Sequence, residues 1–342
     1  MSQPKPLTVQ AIFQPDINST DLILKDIPTP VPDEGSDLHL IRVHATAPCA
    51  GELGWAKYFP EAIFAEEPPE KRLLIPCYDL AGVVVTSPAN SPFKPGTEVY
   101  TRTPATRPGN ARLYTLARTN ELAVKPKNLS WEEAASVPLS AFTALQALFT
   151  HGGLAGLRDP ERRERNADKR VLVTAAAGGV GSWVLQLARS AGVGHIVGVC
   201  GTSNVEFARS LGATDVIDYR QTSVKEWAAA HPDSRFDLVI DCVGGETLAQ
   251  TWYAVRSGGT LLSISGQPDL VRPQDAKVAD VKNYFFIMET SGEELEPVTK
   301  LLEAREVKPI VDSVWTMDQY REAFRKLETG HSRGKIVISV SG

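Results

Sequence analysis

The chain has 342 residues, which is enough for about two domains if roughly 150 residues form one. Apolar residues make up 42% and charged residues 23%, a balance that excludes an intrinsically disordered chain. Lys and Arg number 36 against 41 Asp and Glu, a net charge of −5, so a nucleic acid is not the expected partner.

The cysteines and the N-terminus predict the compartment. Four cysteines stand far apart with no CxxC pair, which argues against a disulfide framework and a four-thiolate zinc lobe and fits a reducing compartment. The first 16 residues are polar and lack the apolar core of a signal peptide, and no run of 18 apolar residues occurs. We therefore expect a cytoplasmic protein without a membrane partner.

The first 130 residues predict a β-rich domain. Short alternating or β-branched runs at 38–45, 81–87 and 97–102 are separated by Pro and Gly clusters. Helical sequence begins at Ser130, where Glu133 completes a capping box. The charged segment 158–170 is interpreted as a solvated loop or frayed helix, with a partner contact as the alternative.

Beyond residue 170, apolar strands alternate with amphipathic helices. Strands are predicted at 171–175, 195–200, 215–219, 237–243 and 259–265, and helices at about 180–191, 203–211 and 246–256. This alternation predicts a doubly wound parallel sheet covered on both faces. Helices at 293–307 and 317–330 and a strand at 335–340 follow.

A glycine-rich turn carries the most specific chemical signal. The segment 171–192, VLVTAAAGGVGSWVLQLARSAG, joins a strand to an amphipathic helix. Ala176, Gly178 and Gly181 occupy the three small positions of the dinucleotide fingerprint, with alanine replacing the first glycine. The N–H groups at the helix start would bind the pyrophosphate. The turn predicts a dinucleotide site.

The end of the second strand predicts which dinucleotide binds. The segment 199–204, VCGTSN, lacks the carboxylate that binds the ribose 2′-hydroxyl in NAD enzymes. Thr202 and Ser203 instead offer hydrogen-bond donors, and Tyr219 ends the next strand. These features favour NADPH, with positive charge supplied by Arg220, Arg209 or a more distant residue.

Several segments together resemble those of a known protein family. They are AAAGGVG at 175–181, DLAGVV at 79–84, FKPGTEVY at 93–100, and further segments at 129–148, 210–219, 237–245 and 330–339. With them the chain resembles the zinc-independent quinone oxidoreductase and enoyl reductase branch of the medium-chain dehydrogenase/reductase superfamily. The resemblance implies an α/β chain with a GroES-like β domain at 1–137, a doubly wound Rossmann domain at 138–290 and a C-terminal return at 291–342. It further implies a homodimer through edge strands near 259–266.

The resemblance also implies which residues hold the cofactor. The glycine turn would bind pyrophosphate, strand ends would contact the adenosine and nicotinamide halves, and the C-terminal segment would close the site. The residues implied are Thr143, Gly178, Gly179, Val180, Gly181, Ser203, Tyr219, Cys242, Val243, Gly244, Ser265, Gly266, Phe285, Phe286, Arg333 and Lys335. Core packing is the alternative for Phe285 and Phe286.

The donor set argues against catalytic zinc, which needs three protein ligands. Cys49 matches the cysteine position of the zinc alcohol dehydrogenases, but Tyr78 stands at the histidine position and segment 137–145 supplies no third ligand. A phenol with a pKa of about 10 substitutes poorly for imidazole. Cys49 is then expected beside the nicotinamide, with a reactive thiol as the alternative.

Without a metal, hydride transfer requires an electron-poor acceptor. We expect reduction of a quinone or of the C=C of an α,β-unsaturated carbonyl by NADPH. The tyrosine that donates a proton in some related enoyl reductases corresponds to Ala50, which leaves Tyr78 and Tyr58 as candidates, or as packing residues. A trans-acting enoyl reductase for an acyl or polyketide thioester, and a non-catalytic, crystallin-like NADPH-binding protein, are the alternatives.

Overall fold

The computed structural model describes residues 7–340. The chain divides into two compact units. One extends through Leu139 and resumes at Glu289, and the other spans Ser140–Met288. The junctions expected from the sequence were 137/138 and 290/291, two residues from those of the structure.

The first part of the chain forms most of an antiparallel β unit. Its elements are β1 (Thr8–Phe13), β2 (Ile23–Pro28), β3 (Leu38–Ala47), α1 (Trp55–Tyr58), α2 (Pro60–Ile63), β4 (Asp79–Thr86), β5 (Glu98–Arg102), β6 (Tyr114–Arg118), β7 (Ala123–Val124) and α3 (Trp131–Ala135). The predicted strands at 38–45, 81–87 and 97–102 correspond to β3, β4 and β5. The capping box is also confirmed, because Glu133 N donates to Ser130 Oγ and Ser130 N donates to the Glu133 carboxylate.

The second unit contains the parallel sheet. Its elements follow the end of α4 (Pro138–Leu145), which starts in the first unit: α5 (Arg162–Asn166), β8 (Arg170–Val173), α6 (Gly179–Ser190), β9 (His195–Cys200), α7 (Val205–Leu211), β10 (Asp215–Asp218), α8 (Val224–Ala230), β11 (Phe236–Asp241), α9 (Gly245–Thr251), β12 (Val255–Ser263) and β13 (Lys282–Phe285). The strand order is β10-β9-β8-β11-β12-β13 with every pair parallel. The order reverses between β8 and β11, and ligands bind at such switch points.

The C-terminal segment returns to the first unit. It contains α10 (Gly292–Glu303), β14 (Val311–Thr316), α11 (Tyr320–Glu328) and β15 (Lys335–Ser339). β15 pairs with β3 and extends the sheet in the order β14-β15-β3-β4-β5-β7. The mixed α/β fold class with a β domain and a doubly wound domain is therefore confirmed.

Each unit has its own apolar core. Ile12, Tyr320 and Ile338 are buried together in the first unit, so the C-terminal return contributes to the same core as the N-terminal strands. In the second unit, Phe236 and Trp252 are fully buried among the strands and helices of the parallel sheet.

Two predicted helices have the wrong C-terminal end, and two elements of the structure were not predicted. The helix expected at 246–256 ends at Thr251, because β12 starts at Val255, and the helix expected at 293–307 ends at Glu303. α8 was not predicted, although Ser223 and Glu226 form the same capping box as at Ser130. β14 was also missed; its residues are half-buried or exposed, which weakens the apolar pattern of a strand.

The edge expected to form a dimer is misplaced. Segment 259–266 overlaps β12, which pairs on one side with β11 and on the other with β13. Among the described residues, β10 and β13 are the edges of this sheet. The homodimer itself stays a prediction.

Between residues 7 and 340, no helix is long and apolar enough to cross a membrane.

Candidate active site

The glycine-rich turn joins β8 to α6 in the second unit. Ala176 N donates to Val199 O, which ties the turn to β9. A Cβ on Gly181 would lie 2.3 Å from the carbonyl oxygen of Ala175, and a Cβ on Gly198 would lie 2.9 Å from the Cβ of Ala176. Only glycine fits at these two close approaches. The cradle therefore suits the fingerprint, with the N-terminus of α6 available to an anionic pyrophosphate.

The turn after β9, where the sequence predicts the adenosine end of a dinucleotide, is built around Asp218. Its carboxylate accepts hydrogen bonds from Thr202 Oγ1 at 2.7 Å and from Arg220 N at 3.0 Å. The Thr202 hydroxyl, a predicted cofactor donor, is thus engaged within the protein. A Cβ on Gly201 would meet the Tyr219 hydroxyl at 3.1 Å and Arg220 Nε at 3.4 Å. A phenol and a guanidinium therefore flank the turn after β9.

The remaining predicted cofactor residues of the second unit differ in accessibility. Val243 and Ser265 are exposed at the ends of β11 and β12, and their neighbours Cys242 and Gly266 are half-buried. Gly244, in contrast, is buried. Of these five residues, Val243 and Ser265 are therefore the most accessible to a ligand.

Thr143 and the two phenylalanines lie in more packed surroundings. Thr143 on α4 is 4% exposed. Phe285 is half-buried, whereas Phe286 is buried with its ring centroid 4.5 Å from that of His151. Phe286 therefore takes part in the core packing that was its alternative interpretation. Contact of any of the three with a cofactor stays a prediction.

In the first unit, Cys49 belongs to a cluster of buried charges that the sequence did not reveal. The Glu52 carboxylate accepts hydrogen bonds from Cys77 N at 2.9 Å and Cys49 N at 3.1 Å. Burial raises the pKa of Glu52 to about 7, although these backbone donors lower it. Burial also raises the pKa of the Cys49 thiol to about 11, which argues against a reactive thiolate at neutral pH.

A buried ion pair lies beside Cys49. Lys335 Nζ is 3.2 Å from Asp79 Oδ2 and donates to the carbonyl of Pro48 at 2.7 Å. The other Asp79 oxygen accepts from Leu139 N at 2.7 Å. Lys335 is therefore held by groups of the first unit, while Arg333 is exposed and its N–H donates to Asp312. Their contact with a cofactor is untested.

Tyr78 is immobilised next to this cluster. Its ring stacks on that of Trp55 with centroids 5.6 Å apart, and the Arg102 guanidinium lies 5.7 Å from the ring centroid. Its carbonyl accepts hydrogen bonds from Thr103 N and Asn110 Nδ2. Burial raises the pKa of Tyr78 to about 12. The Tyr78 side chain is therefore a neutral phenol at neutral pH, and its hydroxyl can donate a hydrogen bond.

The backbone next to Tyr78 has an unusual conformation. Cys77 has a φ of +66°, which is costly for a residue with a side chain. Its N–H is bound by Glu52 and its carbonyl accepts from Asn110 N. Tyr58, by contrast, is 68% exposed on α1. The structure therefore gives the two predicted catalytic tyrosines very different surroundings.

The donor groups near Cys49 do not fit a zinc site. Glu52 is bound by two backbone N–H groups and Asp79 by Lys335 and Leu139. Across the described range 7–340, no group of three or more His, Cys, Asp or Glu side chains could hold a metal ion.

Glu52, Asp79 and Arg102 were missed because they interact over long sequence separations. The one signal that could have revealed Glu52 was a carboxylate three residues after Cys49 in an otherwise apolar and small-residue segment.

Comparisons with known proteins identify the family. Residues 211–338 match the model of a family described as zinc-binding dehydrogenase. The chain is 49% identical over 335 residues to "Probable zinc-binding oxidoreductase, mitochondrial" of Arthroderma benhamiae, with 98% of each chain covered. The chain therefore belongs to the medium-chain dehydrogenase/reductase superfamily and is an oxidoreductase.

Other relatives narrow the cofactor class. Human "NAD(P)H oxidoreductase RTN4IP1, mitochondrial" is 33% identical, covering 77% of this chain and 69% of that protein. The "NADPH-dependent alkenal/one oxidoreductase, chloroplastic" of Arabidopsis thaliana is 30% identical, covering 97% and 80%. The solved quinone oxidoreductase of Coxiella burnetii has 26% identity and a TM-score of 0.78, covering 98% and 100%. These similarities support a nicotinamide cofactor.

The same comparisons correct one prediction. A cytoplasmic location was expected from the polar N-terminal residues and the isolated cysteines. It is contradicted, because the fungal and human relatives are both named as mitochondrial proteins. Isolated cysteines are compatible with any compartment that keeps thiols reduced, so they do not distinguish the cytoplasm from mitochondria.

Proposed function

We propose that the protein is an NADPH-dependent, zinc-independent reductase of quinones or of the C=C bond of α,β-unsaturated carbonyl compounds. The observation that carries this proposal is the chemistry around Tyr78: a buried, protonated phenol with the nearby carboxylates engaged by backbone N–H groups and Lys335. Such a site offers a hydrogen-bond donor and no Lewis acid. The names of the Arabidopsis and Coxiella relatives support the same two acceptor classes.

The acceptor class follows from what a phenol can do. Bound NADPH would supply the hydride to the electron-poor carbon of the acceptor. Negative charge then develops on the carbonyl oxygen, where a correctly placed donor stabilises the transition state. The Tyr78 hydroxyl would donate to that oxygen and lower the barrier for an enone or quinone. Its ring is held by Trp55 and Arg102, so the donor is positioned before the acceptor binds.

The preference for NADPH over NADH rests on Tyr219 and Arg220. Both flank Gly201 at the end of β9, where the ribose 2′ position lies in dinucleotide folds. A guanidinium there would pair with a 2′-phosphate. Arg209, the other candidate from the sequence, is paired with Glu206 at 2.9 Å.

The location of the relatives also bears on this chain. We propose that it works in mitochondria, as the names of the fungal and human relatives indicate. Fractionation of the native organism's cells should recover the protein with a mitochondrial matrix or membrane marker. Recovery with cytosolic markers alone would overturn this proposal.

The test of function is NADPH oxidation by the purified protein with a panel of acceptors. We expect turnover with quinones, enals or enones and none with a saturated aldehyde. Gly181→Val is the matched negative control, because its side chain would collide with the Ala175 carbonyl and close the cradle. Turnover with enoyl thioesters alone would favour the acyl-thioester reductase. NADPH binding without turnover on any acceptor would favour a binding protein.

A further inference from the structure

A buried carboxylate lies at the centre of the strand ends in the second unit. Asp241 is the last residue of β11 and is fully buried. Its Oδ1 accepts a hydrogen bond from Thr174 Oγ1 at 2.9 Å. Its Oδ2 accepts from Gly244 N at 2.7 Å, from Val243 N at 3.3 Å and from Ser263 Oγ at 3.1 Å. One side chain thus receives four hydrogen bonds.

The donors come from three neighbouring strands. Thr174 follows β8 and Ser263 ends β12, and the sheet order places β11 between these two strands. The network extends one residue further on both sides. Cys242 N donates to Thr174 Oγ1 at 2.8 Å, and Ser265 N donates to Ser263 Oγ at 3.1 Å.

The segments fixed by this network are those expected to contact the nicotinamide half of the cofactor. The backbone N–H groups of Cys242, Val243, Gly244 and Ser265 are all bound directly by Asp241 or by a hydroxyl that donates to it. Gly244 has a φ of +81° and packs against Ser265, since a Cβ on it would lie 3.2 Å from that of Ser265. The two loops after β11 and β12 therefore support each other.

An ionised carboxylate is the side chain that suits this position. All four groups bound to Asp241 are donors, and a carboxylate only accepts. Burial raises the pKa of Asp241, and these charge-assisted hydrogen bonds oppose that rise by stabilising the ionised form. An asparagine would keep one accepting oxygen and would direct an NH₂ group at N–H or O–H donors.

We propose that Asp241 is a positioning residue that orients the nicotinamide half of the dinucleotide site without touching the cofactor. This inference rests on the proposed cofactor function. The adenosine half is organised by a different carboxylate, Asp218, which binds Thr202 and the backbone of Arg220. Loss of the Asp241 network should therefore weaken contacts with one half of the cofactor and leave the other half intact.

The test measures the Kd of three ligands by isothermal titration calorimetry, for Asp241→Asn and for the original protein. NADPH spans the whole site, reduced nicotinamide mononucleotide reports the nicotinamide half, and 2′,5′-ADP reports the adenosine half. The Kd of NADPH and of the mononucleotide should rise about 10-fold, the scale of a lost hydrogen bond to a charged group. The Kd of 2′,5′-ADP should stay within about twofold of its original value, a change below about 0.5 kcal/mol.

Thr251→Val is the matched control. Thr251 is a buried threonine of the same unit whose hydroxyl donates to Leu248 O, on α9. It should change none of the three affinities. An unchanged NADPH affinity in Asp241→Asn, or an equal loss for NADPH and 2′,5′-ADP, would overturn the inference.

Two milder variants keep the inference testable if Asp241→Asn does not fold. Thr174→Val and Ser263→Ala each remove one hydroxyl donor to the carboxylate. Each should raise the Kd of NADPH about threefold, the effect of a single modest hydrogen bond, without changing that of 2′,5′-ADP. No effect of either would overturn the inference. If the unsubstituted protein bound neither NADPH nor 2′,5′-ADP, the cofactor proposal would fail first, and this inference with it.

Discussion

The two units build their candidate sites from different materials. In the second unit, strand ends and a glycine turn present backbone N–H groups and hydroxyls, and the two central carboxylates, Asp218 and Asp241, are bound by uncharged donors. In the first unit, the interior near Tyr78 instead contains four ionisable side chains: Glu52, Asp79, Lys335 and Arg102. The first arrangement suits recognition of a large anionic cofactor. The second suits control of protonation at one side chain.

This difference has an energetic consequence. A buried charge that loses its partner is strongly destabilising, whereas a lost hydroxyl contact costs far less. We therefore expect substitutions in the first unit's cluster to act mainly on stability and protonation. Substitutions at the second unit's strand ends should act mainly on cofactor affinity.

The largest effect is expected for the buried ion pair. Lys335→Met should lower the free energy of unfolding by roughly 3–5 kcal/mol, because Asp79 would be left in the interior without its cationic partner. Chemical denaturation measures this change. Lys300→Met is the matched control, since Lys300 pairs with Glu296 on the exposed face of α10 and should cost less than about 1 kcal/mol. Equal effects of the two substitutions would contradict the assignment of a buried pair.

A pH-dependent effect is expected at Glu52. Its pKa of about 7 lies above the ordinary value of 4.5, so its contribution to stability is fully present below pH 4.5 and is lost as pH rises through 7. Glutamine does not ionise, so Glu52→Gln should not lose stability from this group as pH rises. Between pH 4.5 and 8 the variant should therefore gain up to about 3 kcal/mol relative to the original protein. Parallel stability profiles in the two proteins would show that Glu52 does not titrate in this range.

The effect on turnover should appear at Tyr78. Tyr78→Phe removes the protonated hydroxyl and should lower kcat about 100-fold, the scale of a lost proton donor, while the Kd of NADPH stays unchanged. Steady-state kinetics with an enone and titration with NADPH test the two halves of this prediction. Tyr114→Phe, at a half-buried tyrosine of β6, is the control. An unchanged kcat in Tyr78→Phe would remove Tyr78 from the mechanism.

The smallest effect concerns cofactor choice. Arg220→Gln should raise the Kd of NADPH about 10-fold through loss of a charge-assisted contact and leave that of NADH unchanged. Arg209→Gln is the matched control, because Arg209 already pairs with Glu206. If both substitutions act alike on NADPH, or if Arg220→Gln weakens NADH equally, the preference has another origin.

The two units also differ in what their sequences could reveal. The turn from β8 to α6 was predicted from local sequence, because strand, small residues and helix follow one another within 171–192. Ser130 was recognised as a helix cap for the same reason. Such features need only neighbouring residues, so their spacing is visible in the chain.

The buried charges of the first unit could not be predicted in this way. Asp79 and Lys335 meet only because β15 adds to the sheet beside β3, far along the chain from β4. Glu52 binds Cys77 across 25 residues. Even the Asp241 network joins residues from three strands. The partners of these residues are determined by the order of the strands in the sheets, which local sequence patterns do not reveal.

The most direct test of the central claim is to follow the hydride. Metal-stripped protein is incubated with NADPH deuterated at the transferred position of C4 and with an α,β-unsaturated ketone. We expect a saturated ketone with deuterium at the β-carbon and no loss of rate on chelation. An allylic alcohol with deuterium at the carbonyl carbon, or activity that returns only with added zinc, would contradict it.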